Sequence, residues 1–289
     1  MVSSLTHSEK QSQDTRRILA IVAGDGKLPP ILAQSAKEKG YKVIAFCLSD
    51  DSQARMEPIA DKVHRIAPGH LGRSAQLWLQ EGVQDSVFIG KVHKVELLRQ
   101  IHKIDLVALK ELSRLPNFND DTIQRGMADF VERHGIRVIT QREFLRHLFP
   151  QVGVMTKREP TAAEYADIDF GMKIAREIAS LDIGQTVVVR DRMVLAIEAI
   201  EGTDQAIRRG VELARGPVVV CKVAKPNQDQ RFDIPALGMN TLNAMLGEKP
   251  GGVLAMAAGD TMMVDKEEMI RFADEKQMSI VAVSAKEGF

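Results

Sequence analysis

Apolar residues fall along the chain in short runs separated by helical patterns. Ile18 to Ala23 is an unbroken apolar run that stops at Gly24, the signature of a strand buried on both faces. After the Gly24-Asp25-Gly26 turn, Leu28, Ile31, Leu32 and Ser35 recur at helical spacing, with Pro29 in the first turn and Gly40 past the end. Val43–Leu48 is the next strand, so the chain opens as a βαβ unit. The alternation predicts strands at Val63–Ala67, Ser86–Ile89 and Arg137–Thr140. Helices are predicted at Arg73–Gln80, Val95–Ile101, Leu106–Leu112 and Thr122–His134. The first half therefore reads as a doubly wound α/β domain.

Residues 153–160 carry neither period and read as a connection. Beyond them the pattern predicts a long helix at Ala162–Ala179 and strands at Thr186–Val189 and Val194–Ala199, joined as a hairpin through Asp191-Arg192. A helix at Asp204–Ala214, a strand at Val218–Val223 and a short helix at Thr241–Leu246 follow. Strands at Val253–Ala257 and Met262–Val264, a helix at Lys266–Lys276 and a strand at Ile280–Val283 complete a mixed α/β half. The organisation expected is a disordered polar tail (1–17), an N-terminal domain (18–152), a linker (153–164) and a C-terminal domain (165–289). At 289 residues the chain has the length of about two domains.

Composition narrows the function classes. Thirty-nine basic residues balance 39 acidic ones, which argues against a protein built to coat nucleic acid. Ten Phe, two Tyr and one Trp are too few for a base-stacking platform. Cys47 and Cys221 each sit inside an apolar run and read as buried free thiols in a reducing compartment. No apolar stretch reaches the ~18 residues of a membrane span, and the polar N-terminus lacks a signal-peptide core. A cytoplasmic location is expected.

Four stretches could carry chemistry. The Gly24-Asp25-Gly26-Lys27-Leu28-Pro29 turn lies between strand and helix, where backbone N–H groups suit an anion. Pro29 stands where a dinucleotide fingerprint needs its third glycine, so that motif fails. Gly90-Lys91 ends another strand and belongs to the same crevice. An acidic set follows: Asp182, Glu198, Glu201, Asp204 and Asp233. All seven histidines lie at or before His147, so carboxylates there favour a hard ion such as Mg²⁺ over zinc. Thr203 or Asp204 has the bland alternative of capping the next helix. The stretch from Lys222 through Lys225, Asn227, Gln228 and Arg231 to Asp233 offers cations for phosphate and amides for sugar or base edges. A solvated surface loop explains it equally well. Asp120-Asp121 reads as the head of a helix. Together these features fit metal-assisted phosphoryl chemistry better than hydride or acyl transfer.

Several of these stretches resemble the LpxI family of UDP-2,3-diacylglucosamine pyrophosphatases. They are Ala23 to Pro29, Phe88-Ile-Gly-Lys-Val92, Asp120-Asp121, Asp169 with Leu181-Asp-Ile-Gly-Gln185, Ala199-Ile-Glu-Gly-Thr-Asp204, Lys222-Val-Ala-Lys-Pro226 and Asp233-Ile-Pro235. The resemblance covers about residues 18 to 284. It implies a Rossmann-like N-terminal domain, a C-terminal catalytic domain and a lipid-sugar held between them. The implied reaction is hydrolysis of UDP-2,3-diacylglucosamine to UMP and 2,3-diacylglucosamine 1-phosphate (lipid X) in lipid A biosynthesis, with Mg²⁺. Asp233 and Lys225 are implied as catalytic, and Asp182, Glu201, Asp204 and Asp233 as the ion set. Gly24, Asp25, Gly26, Leu28, Gly90, Lys91, Gln185, Gly202, Thr203, Lys222, Gln228 and Arg231 are implied as substrate contacts. A homodimer and peripheral contact with the inner membrane are further implications.

Two departures stand out. The family has glycine where Asp25 stands, and a carboxylate beside a pyrophosphate repels it unless a cation compensates. It also often has glycine where this chain has Asn119, a mild change because Asn tolerates the left-handed conformation. In the expected mechanism Lys222, Lys225 or Arg231 offsets transition-state charge, while Asp233 orients or deprotonates water or ligates the metal. The competing class is a non-catalytic binder of a lipid-sugar phosphate or nucleotide. A nicotinamide oxidoreductase is a third class, disfavoured by the missing glycine.

Overall fold

The computed structural model describes residues 15–92, 104–116, 120–226, 229–232 and 234–284. The expected tail over residues 1–14, the helix expected at Val95–Ile101, Asn119, Gln228 and Asp233 lie outside them, as do the side chains of Asp120 and Asp121.

The N-terminal sheet contains β1 (Ile18–Ala23), β2 (Lys42–Cys47), β3 (Lys62–Arg65), β4 (Asp85–Ile89) and β5 (Arg137–Val138), in the order β3-β2-β1-β4-β5. Every pairing is parallel. Successive β1 side chains alternate between two cores. Leu19, Ile21 and Ala23 join Leu32, Ala33 and Ala36 of α1 (Leu28–Glu38) on one face. Ala20 and Val22 join Trp78 of α3 (Leu71–Gln80) and Phe130 of α5 (Asp120–Arg133) on the other. Burial of both faces explains why these strands read as unbroken apolar runs. The doubly wound sheet expected from the sequence is present, with its switch point between β1 and β4.

Two elements lack the expected signal. Helix α2 (Asp50–Met56) buries only Ser52 and Met56 and is set by a capping box at Ser49. Helix α6 (Arg142–Leu145) runs into a 3₁₀ turn at Arg146–Leu148. The remaining N-terminal helix is α4 (Leu106–Leu112), capped by Asp105.

The C-terminal sheet is mixed. It contains β6 (Gly153–Val154), β7 (Thr186–Arg190), β8 (Met193–Ile197), β9 (Val219–Lys222), β11 (Val253–Ala257) and β13 (Ser279–Val283), in the order β6-β13-β11-β9-β7-β8. The three central strands β13, β11 and β9 are parallel, whereas β6, β7 and β8 pair antiparallel. Residues 153–154, read as aperiodic, thus form an edge strand of this sheet. Helix α7 (Ala162–Ser180) covers one face with Ile168, Met172 and Ala175. Helices α8 (Thr203–Ala214), α9 (Met239–Ala244) and α10 (Lys266–Glu275) cover the other. A separate parallel pair joins β10 (Ala236–Leu237) to β12 (Met262–Met263). The expected β7–β8 hairpin turns through left-handed Asp191 and Arg192. The Asp167 carboxylate accepts both of their backbone N–H groups at 2.9 and 2.6 Å.

Cys47 and Cys221 are buried free thiols, as expected. Burial pushes the Cys47 thiol up to about 11 and raises Cys221 further. Among the described residues no helix is long and apolar enough to cross a membrane.

Candidate functional site at the carboxyl ends of the two sheets

The glycine turns after β1 and β4 meet at the switch point, where open α/β sheets place their ligands. Gly24 N–H donates to Ile89 O (2.8 Å), Asp25 N–H to Lys91 O (2.8 Å) and Lys91 N–H to Asp25 O (2.9 Å). A Cβ on Gly24 would stand 2.5 Å from Lys91 O, and one on Gly90 would stand 2.7 Å from the Gly24 carbonyl. Gly90 also holds φ +99°, a region costly for other residues. The two glycines are therefore required by one close backbone contact. Gly24, Asp25, Gly90 and Lys91 are brought together as expected.

Asp25 is accommodated locally. The Ser49 hydroxyl donates to its carboxylate while also capping α2. Two positions on, Lys27 reaches Asp265 at 2.6 Å, at the head of α10. That contact raises the Lys27 pKa, chiefly through the hydrogen bond, and ties the glycine turn to the C-terminal half. Leu28 is the first residue of α1 and packs against the N-terminal core.

The segment after β9 makes the second tie. Phe232 lies 4.9 Å from Phe88, ring to ring. The Gln141 amide donates to Phe88 O (2.8 Å) and Phe232 O (3.0 Å), and Thr140 Oγ1 donates to Gln230 O. Arg231 is gripped by Asp229 at 2.8 Å and Glu132 at 3.2 Å. The Arg231 hydrogen bond holds the Asp229 carboxyl below the usual carboxylate range. Ile234 is buried in the N-terminal core. Asp233 stands in sequence between these two anchored residues. Seven residues separate Lys222 from Asp229, so their Cα atoms are within about 25 Å. The carboxyl end of the C-terminal sheet is thereby tethered to that of the N-terminal sheet.

At the C-terminal sheet's own end, Glu198, Thr186 and Lys222 form one polar row across β8, β7 and β9. Glu198 N–H donates to Thr186 O at 2.9 Å, and Thr186 pairs with Lys222 in register. Strand alternation places all three on the face of Val188, Ala196 and Val220, under α8. Lys222 and Glu198 are only 4% and 8% exposed. Lys222 Nζ donates to Thr203 Oγ1 (2.8 Å), and Thr203 Oγ1 donates to Glu198 Oε1 (2.8 Å). Gln185 N–H reaches Glu198 Oε2 at 3.4 Å. Gly184 allows this approach, because a Cβ there would lie 2.0 Å from Glu198 O. Gln185 Oε1 and Thr186 Oγ1 are buried without a hydrogen-bond partner among the described residues. Such groups cost about 1–3 kcal/mol each, so each calls for a physical reason.

Several readings of the sequence change here. Lys222 is not on a solvated loop but is the buried end of β9. Neither Thr203 nor Asp204 caps α8: its N-cap is Gly202 at φ +82°, without a side-chain cap bond. The Thr203 hydroxyl is taken by Glu198 and Lys222. Among the described residues, Asp182, Glu198, Glu201 and Asp204 do not gather as an ion cage. Asp182 pairs with Lys225, and Glu201 pairs with Arg209 at 2.6 Å. Among the described residues no three His, Cys, Asp or Glu side chains form a metal-holding group. Thr203 and Lys222 do converge, Gln185 approaches through its backbone N–H, and Thr186, which strand alternation could have revealed, shares the row of Lys222.

The fold and these contacts define a two-sheet α/β protein with polar groups, glycine turns and a buried lysine at the carboxyl ends of both sheets. The LpxI N-terminal domain model matches residues 18–148 and the LpxI C-terminal domain model residues 151–281. The chain belongs to the LpxI family. It is 31% identical over 284 residues to "UDP-2,3-diacylglucosamine pyrophosphatase LpxI" of Caulobacter vibrioides, covering 94% of this chain and 99% of that one. Two solved structures are distant likenesses. N5-carboxyaminoimidazole synthetase from Staphylococcus aureus aligns at TM-score 0.23 and 16% identity, over 60% of this chain and 38% of that one. Glycinamide-RNase-transformylase T from Mycobacterium tuberculosis aligns at 0.25 and 14%, over 64% and 44%. Neither score supports an argument.

Proposed function

We propose that this chain is a UDP-2,3-diacylglucosamine pyrophosphatase of lipid A biosynthesis, producing UMP and lipid X. The observation that carries the reading is the 31% identity running through 94% of this chain and 99% of the relative. The tethered sheet ends support it, since a nucleotide and a sugar phosphate need a long polar crevice. In this reading Lys222, held by Thr203, and Lys225, beside Asp182, offset charge that grows on the phosphoryl oxygens. Asp233 orients or deprotonates the attacking water. The Gly24–Gly26 and Gly90–Lys91 turns offer backbone N–H groups to phosphate or sugar.

Asp182, Glu201 and Asp204 do not fit as a joint Mg²⁺ cage, because two of them already serve cations of the chain. Asp233 and substrate phosphate oxygens would hold a sparsely ligated Mg²⁺. When bound, the ion would neutralise phosphate charge. A homodimer and peripheral membrane contact belong to the same proposal.

The test is incubation of the purified protein with UDP-2,3-diacylglucosamine and Mg²⁺, with EDTA and Asp233→Ala controls. The expected result is UMP and lipid X from the wild type only. Substrate binding without product would leave a non-catalytic binder. An Asp233→Ala protein with full turnover would remove Asp233 from the mechanism.

A further inference from the structure

Two residues read as substrate contacts, Gln185 and Thr203, meet at a single carboxylate outside the expected ion set, Glu198, and a third, Lys222, reaches it through Thr203. A threonine hydroxyl has one proton. Here that proton goes to Glu198 Oε1, the acceptor that has none to give. Thr203 Oγ1 must then present a lone pair to Lys222 Nζ, which has only donors. The two hydrogen bonds therefore run in one direction, from Lys222 through Thr203 to Glu198. The charges it orders are at least nine-tenths buried, where electrostatic interactions are strong and poorly screened. Three elements supply the parts: the end of β8, the head of α8 and the end of β9.

We propose that Glu198 is a positioning residue, fixing the Thr203 hydroxyl and through it aiming the Lys222 ammonium at a phosphate of the ligand. The inference rests on the phosphoanhydride-hydrolase reading above for its ligand chemistry. It adds a residue that acts through Thr203. A carboxylate this close to a phosphate site would ordinarily oppose binding. Here the hydroxyl and the ammonium stand on the contact path from Glu198, so its charge is spent on orienting the cation.

The experiment uses the full chain and two readouts. One is kcat and KM on UDP-2,3-diacylglucosamine with Mg²⁺, and the other is the Kd for UDP by calorimetric titration. Glu198→Gln keeps the shape and removes the charge. It is expected to lower kcat by about tenfold or more and to weaken UDP by only about threefold, because charge on the phosphoryl group is greatest in the transition state. Glu198→Asp recovers part of the loss. In a Lys222→Met background Glu198→Gln costs less than about twofold further, since the relay has lost its end point. Thr203→Val breaks the relay from above and repeats the pattern if Glu198→Gln fails to fold. A merely structural role predicts losses that track the melting temperature and multiply with those of Lys222→Met. That result overturns the inference, as does a Glu198→Gln protein with wild-type kcat and UDP affinity. A wild type that binds UDP threefold tighter than Glu198→Gln but hydrolyses nothing leaves the relay standing and removes the hydrolase reading. A wild type that neither binds UDP nor turns over substrate removes both.

Discussion

Gly24→Ala is the sharpest test of the switch-point geometry. The added methyl would lie 2.5 Å from Lys91 O and 2.9 Å from both Gly90 C and Lys91 C, all backbone atoms. No side chain can rotate away to make room. An ordinary contact requires the two turns to separate by about 1 Å, which strains the three hydrogen bonds at 2.8–2.9 Å that join them. Overpacking of this kind costs about 1–3 kcal/mol. Losing two of the bonds adds about 1 kcal/mol each. The expected destabilisation is therefore about 3–5 kcal/mol, or roughly 10 °C in melting temperature for a chain of this size. Trp78, the single tryptophan, is 2% exposed in the core on the other face of this sheet. Its fluorescence in a urea titration reads unfolding of the N-terminal sheet without interference from the other one. A Gly24→Ala protein within about 0.5 kcal/mol of wild type would refute the requirement for glycine at this contact.

Other substitutions probe separate links. Gly184→Ala places a methyl 2.0 Å from Glu198 O and should cost about 2–4 kcal/mol; it is measured by thermal unfolding followed at the C-terminal sheet. Ile234→Ala and Met262→Ala should each cost about 2–4 kcal/mol and weaken the N-terminal sheet, as hydrogen exchange at Leu19–Ala23 would report. Unchanged exchange there would show that these side chains do not support that core. Asp229→Asn removes a carboxyl whose pKa Arg231 depresses. Its contribution is present above the usual carboxylate pKa of ~3.9 and is lost as pH falls through the lower folded value. The variant should be about 1 kcal/mol less stable than wild type at pH 7, and urea titrations should converge as pH falls below the usual carboxylate range. A gap that persists there would place the effect elsewhere.

The parts of the fold legible in the sequence are those fixed by local pattern. The β1–α1–β2 opening needs only a buried run, a glycine turn and a helical stripe. Helix α2 was hidden because Asp50–Met56 is almost wholly polar and buries just two side chains. Its one local signal is Ser49 with Ser52, a capping box lacking the usual Glu or Gln. The site was legible in residue type but not in pairing. Asp182 with Lys225 and Glu201 with Arg209 are ion pairs across 43 and 8 positions, so a list of carboxylates cannot reveal which are already engaged. The same holds for Lys222. Its neighbours in sequence suggest a basic loop, while it pairs with Thr186 across the sheet and donates to Thr203.

The N-terminal core contains Ile234 and Met262, with Ala236 packed against it. During synthesis the ribosome releases β1 to β5 long before these residues exist. The early half must therefore wait with part of its interior open, and its consolidation is timed by the late half rather than by its own completion. A chain cut after residue 150 would leave the N-terminal core open where Ile234 and Met262 belong. Such fragments are natural clients for chaperones, and quality control would sense an unfinished C-terminus through the exposed interior of the N-terminus.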